Sequence, residues 1–231
     1  MKRALILVLA ACITMNAAVT LGNHTIAGST TSNNVTTTGI DSTGASVVWA
    51  AVVCLNTKTC TFSDSKSNIW TALTPQTLGI TTLQLYCKVS PTTDALHTFT
   101  ASSTGGYPAV AVEAFNGTGG ASCPEQQNGA TAPTTTTVNT GNVTLSSSGV
   151  FVTGVTIDNI VGETYSIDSS FAITDQITVV SGQHFSLAMG YLISAASTKN
   201  PKWTASNSGN MSTTMGTSLQ ATGTVRHRVT Q

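Results

Sequence analysis

With 231 residues, 40% of them hydrophobic and only 8% charged, the chain has the length of one large β-sandwich or two small ones. It lacks the low hydrophobicity and high net charge of a disordered tail. Nine basic residues balance nine acidic ones, which argues against nucleic acid as a partner, because phosphate binding needs clustered Lys and Arg. Thr, Ser, Asn and Gly replace the missing charge, and these are residues of strands and turns.

In chain order, the first element is a secretory signal over residues 1–20. Lys2 and Arg3 precede an apolar run, Ala4 to Ile13, that is too short to span a bilayer as a helix. Two processing routes are open. Leu9-Ala10-Ala11-Cys12 resembles a lipobox, which would make Cys12 the site of a lipid anchor, whereas cleavage near Ala17 or Ala18 would give an ordinary exported chain. No later stretch has the length of a transmembrane span. A Thr/Ser-rich segment, 21–45, leads into a first strand block, 46–117. A linker with room for an edge strand (118–149), a second block (150–223) and a tail (224–231) complete the chain.

The two blocks correspond at an offset of about 104 residues. Phe99-Thr100-Ala101-Ser102-Ser103-Thr104-Gly105-Gly106 aligns with Trp203-Thr204-Ala205-Ser206-Asn207-Ser208-Gly209-Asn210. Strands are expected near 46–54, 60–64, 69–73, 82–90, 96–102 and 107–116, then near 150–157, 164–168, 171–178, 185–194, 201–206 and 211–221. Val47 to Cys54 is apolar on both faces, as suits a strand covered on both sides. Leu83, Leu85, Cys87 and Val89 alternate with Thr82, Gln84, Tyr86 and Lys88, as suits a strand with one wet face. The expected fold is all-β, a jelly-roll-like sandwich built from two homologous strand blocks, with two tandem Ig-like sandwiches as the alternative.

The run Ser63-Asp64-Ser65-Lys66-Ser67-Asn68-Ile69-Trp70-Thr71, with Glu113-Ala114-Phe115-Asn116-Gly117 and the paired blocks, resembles uncharacterised β-sandwich modules of exported bacterial and phage proteins. Those modules often carry Gly where Ser67 stands. The resemblance implies a jelly-roll-like sandwich and extracellular display, and brings no enzymatic activity with it.

Cys54, Cys60, Cys87 and Cys123 remain after the signal, an even count that points to disulfides in an exported chain. Their spacing lacks the paired short intervals of a zinc site. Cys54 and Cys60 flank a short connection and are expected to pair, leaving Cys87 for Cys123. Asp64, Ser65, Ser67 and Asn68 crowd oxygens into one turn, but a single carboxylate beside Lys66 suits an Asx-shaped hairpin better than calcium. Glu113, within an apolar strand, is expected at an edge or facing solvent, since no second acid is tied to it for paired-carboxylate chemistry. His24, His97, His184 and His227 are scattered, and no Gly-x-Ser-x-Gly occurs. No catalytic residue, metal or cofactor is therefore assigned. Trp203, Phe99, Trp49 and Trp70 read as core.

Tyr86, flanked by Gln84 and Lys88, is the binding candidate, because the alternation of its strand turns it outward where a ring could stack on a sugar or a partner. The functional expectation is a non-enzymatic structural or adhesive module at the cell surface, contacting a glycan, the surface or neighbouring copies. A subunit of an extracellular filament or virion appendage and a polysaccharide-active enzyme are the alternatives.

Overall fold

The computed structural model describes residues 18–55, 59–118, 122–158, 161–181 and 183–220, apart from the side chains of Ser181 and Gln183. Among them there is no helix; the fold is the all-β sandwich expected from composition. Strands β1 (Thr20–Gly28) and β2 (Asn34–Thr36) precede the first block, which supplies β3 (Val47–Leu55), β4 (Cys60–Asp64), β5 (Thr71–Ala72), β6 (Gln76–Leu78), β7 (Thr81–Val89), β8 (Phe99–Ser103) and β9 (Pro108–Asn116). The linker holds β10 (Gln127–Asn139) and β11 (Val143–Leu145), and the second block supplies β12 (Gly149–Asp158), β13 (Tyr165–Ile167), β14 (Ala172–Ser181), β15 (Gln183–Ser194), β16 (Ser197–Lys199) and β17 (Lys202–Leu219).

These strands form two large antiparallel sheets, ordered β1-β9-β3-β7-β5 and β10-β17-β12-β15-β14, with β6 added at β7 and β13 at β17. Their inner faces meet through Val47, Trp49, Ala51, Val53, Leu83 and Leu85 on one side and Val150, Val152, Phe185, Leu187 and Met189 on the other. The outer face of the first sheet, Val48, Ala50, Val52, Val110 and Val112, is covered by the three-stranded sheet β2-β8-β4 through Phe99 and Ala101. The outer face of the second, Val155, Ile157, Ala188 and Met211, is covered by Trp203 and Ala205 of β17, Tyr165 of β13 and Val138 of β10. The result is four layers. Strand β3 is buried on both faces because a separate core lies on each side of it, which is why its sequence shows no polar alternation.

Strand β17 runs unbroken for 18 residues where the sequence suggested two strands. The polar stretch Ser206–Asn210 looked like a turn, but its partner β10 shifts register between Ala132 and Thr135 and again before Thr137. Those bulges let the paired strands bend together from the sheet into its covering layer. Edge strands β1 and β10 come from the segments that composition marked as connections.

The two large sheets approach closely at glycines. A Cβ on Gly216 would stand 2.4 Å from the Trp49 ring, and one on Gly154 would stand 3.2 Å from the Ala51 methyl. The disulfides are Cys54–Cys60 and Cys87–Cys123, enclosing sequence separations of 6 and 36. The second fastens β7, at the centre of the interface, to the connection that leads to β10.

Gly216→Ala is expected to destabilise the fold by about 1–3 kcal/mol through overpacking against Trp49, read from urea denaturation. Removing Cys87–Cys123 by paired Cys→Ser substitution is expected to cost more than removing Cys54–Cys60, about 4 against about 2 kcal/mol on loop entropy. Equal costs in the same assay would contradict this.

Candidate functional site

Two clusters of titratable side chains are brought together by the fold from positions far apart in sequence. The first joins Ser42, Asp64 and His97, a Ser-His-Asp composition. Ser42 Oγ lies 2.9 Å from His97 Nδ1, and His97 Nε2 stands 3.3 Å from Asp64 Oδ2, an ion-pair contact rather than an aligned hydrogen bond. Burial holds His97 below its ordinary pKa, against the opposing pull of Asp64. We assign the neutral ring its proton on Nε2, so that Ser42 donates to Nδ1 and Nε2 faces the carboxylate.

This cluster is a staple. Ser42 is 1% exposed, and its Oγ also accepts the Asp94 backbone N–H at 3.0 Å, so the oxygen has no open approach as a nucleophile. A recess of about 190 Å³ borders Ser42, but the hydroxyl points away into Asp94 and His97. Asp64 accepts the backbone N–H groups of Lys66 and Asn68 and the Asn68 side-chain amide. Ser67 takes the left-handed conformation at φ 57°. Asn68 and Lys66 in turn hold Thr92 and Asp94. The Asx hairpin reading of this turn therefore describes its geometry, and the network fixes loops bearing the exposed Ile69 and Leu96.

The second cluster lies where the edges of the two large sheets meet. Glu113, on β9, is fully buried, which corrects the expectation of an edge or solvent-facing acid. The reason is the second sheet: β14 lies over this part of the first sheet, so the face that would be wet in an isolated sheet is closed. Glu113 Oε1 is 2.7 Å from the Thr174 hydroxyl, while Oε2 is buried without a partner. Asp175 binds His24 Nδ1 at 2.8 Å, and His24 pairs across β1–β9 with Glu113 itself. Two bulges place these groups: one in β1 between Leu21 and Asn23, one in β14 between Ile173 and Asp175. Burial pushes the Glu113 pKa up to about 8, with Asp175 adding to the rise and the Thr174 bond opposing it.

Tyr86 is not outward. It is 7% exposed, with its ring 5.2 Å from Phe62 and its hydroxyl donating to Gln84 Oε1 at 2.9 Å. Gln84, Tyr86 and Lys88 do share one face, as alternation indicated, but β2-β8-β4 covers that face over Tyr86. Gln84 donates its amide to Leu73 O at 2.7 Å, and Lys88 is half-buried. Trp49, Trp203 and Phe99 are core, and Trp70 packs half-buried on Phe62 at 4.7 Å. Cys12, His227 and the tail 224–231 lie outside the described residues. Comparison with protein-family models, with curated proteins and with solved structures finds no match in any of the three.

Glu113 carries its proton in the folded chain at pH values where the unfolded chain has lost it. Between the ordinary value of 4.5 and about 8 the folded state holds the extra proton, so stability falls as pH rises through that window and levels off above it. Denaturation titrations are expected to show a loss of a few kcal/mol across the window, which Glu113→Gln abolishes. Ser42→Ala is expected to cost about 1–3 kcal/mol, because it leaves Asp94 N–H and the His97 ring without their partner. An unchanged urea midpoint would remove the staple role.

Proposed function

We propose that the protein is an exported, non-enzymatic β-sandwich that acts as a structural or adhesive module at a cell surface, meeting a glycan or the surface through uncharged strand faces. The observation that carries the reading is the outer face of β2-β8-β4. There Asn34, Ser102 and Thr61 line up in one cross-strand row, and Thr36, Thr100 and Ser63 in the next. Alternation turns Val35, Ala101 and Phe62 into the core and leaves these six small polar side chains on the opposite face. Such a face offers donors and acceptors without charge, which suits the hydroxyls of a polysaccharide and lets many weak contacts add. Two disulfides and the N-terminal signal support an oxidising, exported address, and a lipid on Cys12 would hold the module at the surface.

The filament alternative draws less support from the open edge of β10. Pro133 interrupts its donors, Thr134 adopts φ 45°, and the register shifts on either side, all of which hinder a neighbour's strand from pairing there. The polysaccharide-active alternative would draw on Glu113 and Asp175, but the first is sealed and the second is occupied by His24.

Thr36→Lys with Thr61→Lys is expected to reduce binding to a polysaccharide array and to whole cells by at least tenfold while leaving the melting temperature within a few degrees. A wild-type chain that binds neither, or a double variant that binds as well as wild type, would overturn the reading.

A further inference from the structure

The Thr174 hydroxyl has one proton and two acceptors within reach, Glu113 Oε1 at 2.7 Å and the Met189 carbonyl at 3.1 Å. Were Glu113 ionised, Thr174 could donate to only one of them, and donation to the carboxylate would take the hydroxyl from the Met189 carbonyl. A neutral Glu113 removes the conflict: its own O–H donates to Thr174 Oγ1, and Thr174 donates to Met189 O. The partnerless Oε2 is then the oxygen of a neutral acid rather than of a buried carboxylate. The chain Glu113–Thr174–Met189 links β9 of one large sheet to β14 and β15 of the other.

The groups facing Glu113 point the same way. From β1 comes His24 and from β14 comes Asp175, already bonded to each other at 2.8 Å. From β3 comes Trp49, and from β15 Met189 and Tyr191, the last with its ring 5.4 Å from Phe115 on β9. No described cation is bonded to the Glu113 carboxyl. The strands here are also edge strands: among the described residues β1 pairs with β9 alone, and β14 pairs with β15 alone.

We propose that the β1/β14 seam is a proton-operated fastener: with Glu113 protonated the two sheet edges are clasped, and loss of that proton releases them while the rest of the sandwich stays folded. The inference is independent of what the module binds. Water entering the seam would solvate the new carboxylate, and β1 and β14, each with a single strand partner, are the elements that can move to admit it.

Hydrogen exchange on the full exported chain at pH 6 and pH 9, corrected for intrinsic rates, tests this. Protection of Thr20–Gly28 and Ala172–Ser181 is expected to fall at least tenfold at pH 9, while β3 and β12 keep theirs. Glu113→Gln, which keeps the shape of the neutral acid, should show equal protection at both pH values. Asp175→Asn removes the neighbouring negative charge and should move the opening midpoint to lower pH, which a purely structural role would not do. Unchanged protection of β1 and β14 in wild type, the same loss in Glu113→Gln, a midpoint unmoved by Asp175→Asn, or a loss that includes β3 would each overturn the fastener.

Discussion

Double-sided burial of the central strands governs this molecule. A strand with apolar side chains on both faces needs a core on each side, and β3 has one against the second large sheet and another against β2-β8-β4. The same holds for β12, between the first large sheet and the layer made by β13 and the start of β17. Each fully buried Val, Leu or Phe contributes about 1.5–3 kcal/mol, so the layered stack gathers its stability in strands carrying almost no charge. Close approach follows: Gly216 stands where the facing Trp49 ring leaves no room for a side chain, and Gly154 where one would be tight against Ala51.

Layering at this density makes every interior polar atom consequential. In the second block the problem is met locally. Thr156 donates to Ser186 O, Thr213 to Gly154 O, and Thr153 both donates to Thr214 O and accepts the Trp203 indole N–H. In the first block Trp49 finds Ser218 across the interface at 3.0 Å. Threonine therefore has two uses in this sequence, lining dry layers where its hydroxyl returns to the sheet and lining the outer face where it meets solvent. Ser212 Oγ finds no partner, and Glu113 departs further, a carboxyl with one bonded oxygen and one bare one in the dry interface.

Strand identity was legible because period-2 alternation and double-faced apolar runs are local properties, and β3, β7, β9 and β12 stand close to where those patterns end. The disulfide pairing was legible for the same reason, since Cys54 and Cys60 flank a short connection. What local pattern cannot carry is which face another sheet will cover. Tyr86 had the correct phase and the wrong surroundings, because β4 and Phe62 close over it, and Glu113 was misjudged because β14 closes over β9. Both errors are one error: a polar neighbour in sequence was taken for water in space. The Ser42–His97 contact spans 55 residues and the Glu113–Thr174 contact 61, and neither has a short-range signature.

The two clusters differ in a way that burial alone does not predict. His97 and Glu113 are both fully buried and each has one ring or carboxyl atom without an aligned hydrogen bond, yet His97 Nε2 has the Asp64 carboxylate 3.3 Å away, whereas no ion-pair contact meets Glu113 Oε2. Their elements explain the contrast. Loops around His97 can adjust until Asp64, Asn68, Lys66 and Asp94 all find partners, since turn backbone supplies free N–H groups. Strands around Glu113 have already committed their amides to the ladders, so a side chain has to reach it, and here that side chain is delivered by a bulge. Thr174 is such a side chain, the residue passed over where β14 shifts register against β15. A carboxyl in a sheet interface is thus confined to the few side-chain donors that reach it, and at Glu113 a proton of its own supplies the bond that the ladders do not.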